Sequence, residues 1–119
     1  MTLTNEQLQA FAETSTVDLT TVGRRSGELR TVEIWWFEID GRFIITGTPG
    51  RRDWLANIRA NPDVVLTVGT ETVPATAVEV DDVRFKIRVF TDPTVGWYVT
   101  QTDLESLVAN APMIEVQFP

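Results

Sequence analysis

Residues 17–48 read VDLTTVGRRSGELRTVEIWWFEIDGRFIITGT, and the fold is decided there. From Val17 to Val22 apolar and polar residues alternate, Val17 and Leu19 against Asp18 and Thr20, which is the period of a strand. GRRSGELR, residues 23–30, interrupts with two glycines and three arginines and reads as a long turn. Strand character returns over residues 31–39, where Ile34, Trp35, Trp36 and Phe37 are all apolar. Adjacent strand residues point to opposite faces, so this strand is expected to be covered on both sides and central. Asp40-Gly41 is a strong short hairpin signal, and it leads into a strand over residues 42–48.

Outward from this stretch the pattern stays local. Before it, Thr4 with Gln7 makes a capping box for a helix over about residues 4–14, with Leu8, Phe11 and Ala12 on one face. After it, Pro49-Gly50 breaks the strand, and Asp53 is expected to cap a helix carrying Trp54, Leu55 and Ile58 until Pro62 stops it. Residues 64–68 and 72–80 are strands around Gly69-Thr70, and Pro74 suggests an edge or a bulge in the second. Asp81-Asp82 opens a helix with Phe85, Val89 and Phe90. Thr102 with Glu105 opens another, ending near Asn110, and residues 113–118 close the chain as a strand. Six strands and four short helices with short connections predict a mainly β (α+β) single domain, 1–119, whose antiparallel sheet curls into a barrel.

Composition removes whole classes of chemistry. The chain has no cysteine and no histidine, which excludes disulfides, thiolate zinc sites, cysteine nucleophiles and any imidazole base. No metal site is expected. If the protein is an enzyme, a bound organic cofactor must carry the reaction. A net charge of -7 makes nucleic acid a poor partner. No basic start followed by an apolar run is visible, and no apolar stretch approaches spanning length, so a soluble, cytoplasmic protein is expected.

Against that acidity, clustered arginines stand out. If the first three strands run alternately up, down and up, the turns at 23–30 and 49–53 lie at the same end. Arg24, Arg25, Arg30, Arg51 and Arg52 then meet near the start of the helix at Trp54, where free N–H groups and the helix dipole also favour anions. Guanidinium forks in that setting suit a phosphate or carboxylate. Neither a Walker loop nor a GxGxxG fingerprint is present. Trp35, Trp36, Phe37 and Phe43 read as core, whereas Trp54 beside the basic cluster can face a planar ligand. Trp97 and Tyr98, after Pro93 and Gly96, read as a loop-like pocket wall. Tyr98 is the only tyrosine, hence the only candidate proton donor of that type.

These residues carry a resemblance. LTTVGRRSGELRTVEIWW, a DG hairpin and FIITGTPGRRDWLANIRANPDVVLTV, within residues 16–70, resemble the deazaflavin-dependent nitroreductase family of split β-barrel proteins. The motifs TTxGRxSG and WxxNxxANP carry most of the likeness. The resemblance implies that Arg24, Arg25 and Arg30, with Ser26 in the same loop, contact the phosphate of coenzyme F-420, whose glutamyl tail the family's loop also grips. It implies that Thr46 and Thr48 line the deazaflavin ring, and that Trp54 and Asn57 border it, with Arg51 and Arg52 adding to the basic wall. The implied reaction is hydride transfer to an electron-poor acceptor such as a quinone, enone or nitroarene, and split barrels of this kind often pair as homodimers. Two alternatives stand beside it: an FMN-dependent split-barrel oxidoreductase, and a carrier that binds a deazaflavin, flavin or lipid without catalysis.

Overall fold

The computed structural model describes residues 3–119. Its elements in chain order are α1 (Asn5–Ala12), β1 (Thr16–Val22), β2 (Leu29–Trp35), β3 (Phe37–Ile39), β4 (Arg42–Thr46), α2 (Asp53–Ala60), β5 (Asp63–Val68), β6 (Glu71–Glu79), α3 (Val83–Phe90), a 3-10 turn (Pro93–Val95), α4 (Trp97–Gln101), α5 (Leu104–Asn110) and β7 (Met113–Gln117). The capping box at Thr4 and Gln7 starts α1 as the sequence predicts.

All seven strands join one antiparallel sheet in the order β2-β1-β5-β6-β7-β4-β3. β2 and β3 stand at opposite ends of that order, yet only Trp36 separates them in the chain. The sheet therefore curls until its two edges meet at one bent strand, which is the split-barrel architecture expected.

The bend corrects one expectation. Residues 31–39 are two edge strands rather than one central strand, and this raises the strand count from six to seven. β2 is exposed along most of its length, with Leu29 at 69%. The consecutive apolar residues have a different cause. Trp36 stacks on Phe43 at 4.6 Å and sends its indole N–H to the Thr14 carbonyl at 3.0 Å, inside a core that includes Phe11. Phe37 packs instead against a second core, with Tyr98 at 6.0 Å. Trp35, expected in the core, is instead 39% exposed and meets Trp97 edge-on at 5.1 Å on the surface. The bend hands neighbouring residues to different clusters, so period two fails there.

The strands covered on both faces are β4 and β7. Ile45 and Ile114 point into the barrel with Leu19, Leu66 and Ile58, whereas Ile44 and Met113 pack outward against Phe90, Tyr98 and Leu107 of the C-terminal helices. Pro74 sits where the sequence suggested: it pairs with Val65 of β5, while β7 pairs β6 only from Thr76 onward. The stretch at Trp97 and Tyr98 is helical rather than loop-like. Asp103, not Thr102, caps α5 by accepting from the Ser106 N–H at 2.7 Å. Among the described residues no helix is long and apolar enough to cross a membrane.

Candidate functional site

The site starts from the turn between β1 and β2. Val22 pairs with Leu29, so residues 23–28 form a closed hairpin loop. The Gly23 N–H donates to the Glu28 carbonyl at 2.7 Å, the Gly27 N–H to the Gly23 carbonyl at 2.9 Å, and the Glu28 N–H to Ser26 Oγ at 3.1 Å. Ser26 is thus a loop organiser, whatever else it meets. Gly27 adopts a φ of 74°, which favours glycine. At Gly23 the constraint is closeness, because a Cβ would lie 2.9 Å from the Glu28 carbonyl oxygen and from Ser26 Oγ. Gly23→Ala is therefore expected to destabilise the fold by about 1–3 kcal/mol through overpacking, measurable by denaturant unfolding. Wild-type stability in that variant would show that the loop has room to move.

Asn57 ties this loop to α2. Its side chain is buried, and each polar atom is used. Nδ2 donates to Thr21 Oγ1 at 3.1 Å, and Oδ1 accepts from the Arg24 backbone N–H at 3.1 Å and from Arg24 Nη1 at 2.9 Å. Arg24 Nη2 also reaches Asp53 Oδ1 at 3.4 Å. The turns at 23–30 and 49–53 do converge, and Asn57 is the joint.

The five arginines divide between two cavities that share Arg24 and Asp53. The first, about 450 Å³, is lined by Arg24, Arg25, Ser26, Arg30, Trp54 and Asn57. Val32 adds to its wall; across the ladder it faces Leu19, on the inner face of the barrel. Arg25 has no ion-pair partner among the described residues, and Arg30 meets only Glu28 at 3.3 Å with both side chains well exposed, a pairing of little strength. The second cavity, about 1060 Å³, holds Arg51 and Arg52. Arg52 folds back on its own loop, donating to the Thr48 carbonyl and hydroxyl at 3.0 and 3.1 Å and to the Arg51 carbonyl at 3.2 Å. Its backbone is also the extended N-cap of α2, without a side-chain cap. Asp53, expected as the cap, is instead the first helical residue.

The ring-lining residues implied by the resemblance fare unequally. Trp54 is mostly buried in the barrel core and offers an edge to the first cavity. Thr46 is 1% exposed, donates its hydroxyl to the Pro112 carbonyl at 2.6 Å, and lines neither cavity. Thr48 is held by Arg52. Tyr98 is buried among Trp35, Trp97, Phe37 and Phe90. Burial pushes its hydroxyl up to about 12, with the Arg52 charge pulling the other way, so the phenol stays protonated at neutral pH.

Sequence reasoning missed the far wall of the larger cavity, where Arg59, Glu79 and Lys86 meet from three different elements. The only hint in the chain was that Lys86 is its single lysine. No cluster fit for a metal ion occurs among the described residues.

Solved structures agree with this frame. One described as a domain-swapped dimer is 27% identical, with a TM-score of 0.62 over 87% of this chain and 80% of its own. The structure of an F420-H2 dependent reductase, FDR-A, is 25% identical, with a TM-score of 0.58 over 87% of this chain and 94% of that one. A FAD-binding protein from Mesorhizobium loti shares the fold at 17% identity, with a TM-score of 0.69 over 98% and 91% of the two chains. No curated protein matches the chain in sequence. The model of the F420H(2)-dependent quinone reductase family matches residues 4–107, nearly the whole barrel with the arginine loop and α2, and the chain belongs to that family of oxidoreductases.

Proposed function

We propose that the smaller cavity holds the phosphate end of coenzyme F-420 and that the protein passes hydride from the reduced cofactor to a quinone, enone or nitroarene. The observation that carries this is the convergence of Arg24, Arg25 and Arg30 on one cavity with an apolar wall of Val32 and Trp54, in a chain of net charge -7. The donor set fits the group: guanidinium forks for a phosphate, with carbon surface beside them for a flat ring. When bound, the reduced deazaflavin supplies the hydride. The chain's own residues bind and orient: Asn57 aims Arg24, the Ser26 turn fixes the loop, and Arg25 is free to meet an anion.

Tyr98 is the phenol available as a proton donor, held neutral by burial. Tyr98→Phe keeps the ring packing and removes only the hydroxyl. A fall in kcat of about 10²-fold or more with unchanged cofactor affinity is expected if the hydroxyl delivers a proton. An unchanged kcat would leave Tyr98 as a core residue.

Titration of the purified protein with F-420, FMN and FAD, followed by fluorescence, tests the cofactor. F-420 is expected to bind and, once reduced, to be reoxidised by added quinone or nitroarene. Binding of FMN instead would move the protein to flavin chemistry, and bound cofactor that no acceptor reoxidises would make it a carrier. We also infer a homodimer, supported by the similar chain described as a domain-swapped dimer. A monomer mass by light scattering would dismiss it.

A further inference from the structure

Arg52 is one of the five arginines gathered at this end of the barrel, yet its side chain turns into its own loop. Nη2 donates to the Thr48 carbonyl at 3.0 Å and to the Thr48 hydroxyl at 3.1 Å, and Nη1 donates to the Arg51 carbonyl at 3.2 Å. No carboxylate pairs with it among the described residues. The loop is shaped to receive the fork. A Cβ at Gly47 would lie 3.1 Å from Nη2, and one at Gly50 would lie 3.2 Å from Nη1. At both positions a side chain would press on the guanidinium, so glycine leaves the room it needs. Gly50 also has a φ of 134°, and its N–H reaches the Asn110 carbonyl at 3.4 Å.

The backbone of the same residue begins α2. The Arg52 carbonyl accepts from the Ala56 N–H at 3.2 Å, and no side chain caps the helix. A guanidinium has five donors and no acceptor, so it cannot cap as a serine or an aspartate does. Its side chain instead reaches four positions back to Thr48, just past the end of β4, and ties that strand to the helix start. The helix in turn carries Asn57, which aims Arg24. A displaced α2 therefore displaces the 23–30 loop as well.

We propose that Arg52 is a positioning residue and not an anion contact: its guanidinium is an internal strut that fixes the 47–51 loop and, through the start of α2, the Asn57–Arg24 pair. The planar fork matters here more than the charge. Nη1 and Nη2 hold acceptors on two residues of the loop at once, a span that a single ammonium does not cover. Arg51, its exposed neighbour, makes no such side-chain bonds among the described residues.

The first test needs no cofactor. In the wild-type background Gly47→Ala should lower the melting temperature, because the added methyl pushes the guanidinium off Thr48. In Arg52→Ala that space is open, so adding Gly47→Ala should leave the melting temperature unchanged or raise it. Equal losses in the two backgrounds would overturn the proposal. Arg52→Gln, whose shorter side chain opens the same space, takes the place of Arg52→Ala in this cycle if the alanine variant does not fold.

The second test measures F-420 affinity, and it alone rests on the reading above. Arg52→Ala should weaken binding about tenfold relative to wild type by loosening a preformed site, at low and high salt alike. Arg52→Lys should bind as weakly as Arg52→Ala, whereas the loss caused by Arg25→Ala should shrink as salt rises. Full affinity in Arg52→Lys, or a loss in Arg52→Ala that salt removes, would make Arg52 an anion contact and end the proposal. Unchanged affinity in Arg52→Ala would end it too. If wild-type protein binds no F-420, the cofactor reading fails by itself and the melting cycle decides the strut.

Discussion

Replacing Arg24, Arg25 and Arg30 together by alanine is expected to weaken F-420 binding by about three powers of ten or more. Each hydrogen bond to a charged group contributes roughly 1.5–3 kcal/mol, and three lost together exceed the roughly 1.4 kcal/mol that corresponds to each factor of ten. The single variants should separate two effects. Arg25 holds no partner among the described residues, so Arg25→Ala should lower affinity and leave thermal unfolding unchanged. Arg24 is bound to Asn57 and Asp53, so Arg24→Ala should lower affinity and also cost about 1 kcal/mol of stability. Fluorescence titration and a melting curve on the same samples read both quantities. A triple variant that binds F-420 as wild type does would remove the 23–30 loop from the site.

Asn57 is the second position where a large change is expected. Asn57→Ala deletes the partner of the buried Thr21 hydroxyl and of the Arg24 backbone N–H. A cost of about 2–4 kcal/mol follows from the unpaired groups and the space left behind, and a melting temperature lower by roughly 10 °C or more. Cofactor binding should weaken as well, because Arg24 loses the group that aims it. Asn57→Asp divides these consequences. A carboxylate can still accept from Arg24 and from a rotated Thr21 hydroxyl, so stability should suffer less. Its negative charge would occupy the Arg24 guanidinium, so affinity for an anionic cofactor should fall by about tenfold. If Asn57→Ala melts with wild type, the side chain is not the joint between loop and helix.

Much of the fold could be read from the chain because the signals are short-range. The alternation in Val17–Val22, the Asp40-Gly41 hairpin, the Thr4 capping box and the Asp82 cap each lie within a few residues, and each forms as expected. The long apolar run at Ile34–Phe37 misled for a physical reason. Strand period assumes one straight strand between two layers, whereas this strand bends at Trp36 and serves two cores in succession. The helix at Trp97 was hidden in the same way, since Pro93 and Gly96 look like loop residues until they are seen to form the 3-10 turn that leads into it.

The site was legible only in part. That the arginine turns lie at one end follows from strand direction, and the contact between Arg24 and Asp53 bears it out. Which arginine faces which cavity does not follow, because it depends on packing between distant segments. Asn57 reaches Arg24 across 33 positions of sequence, and Lys86 approaches Ala111 across 25. The WxxN spacing singled out Asn57 without revealing that its amide is spent on the protein itself. Thr46, one strand residue from the same region, turns its hydroxyl into the interior.

By itself, then, the sequence determined a β-rich chain without thiol or imidazole chemistry, with its arginines clustered in two turns and a loop motif that resembles that of deazaflavin proteins. The closure of the sheet at Trp36, the sharing of five arginines between two cavities, and the arrival of a lone lysine at the far end of one of them were decided by tertiary structure. Turns and caps are set by neighbours along the backbone, whereas a cavity wall is set by which side chains remain once the core has packed.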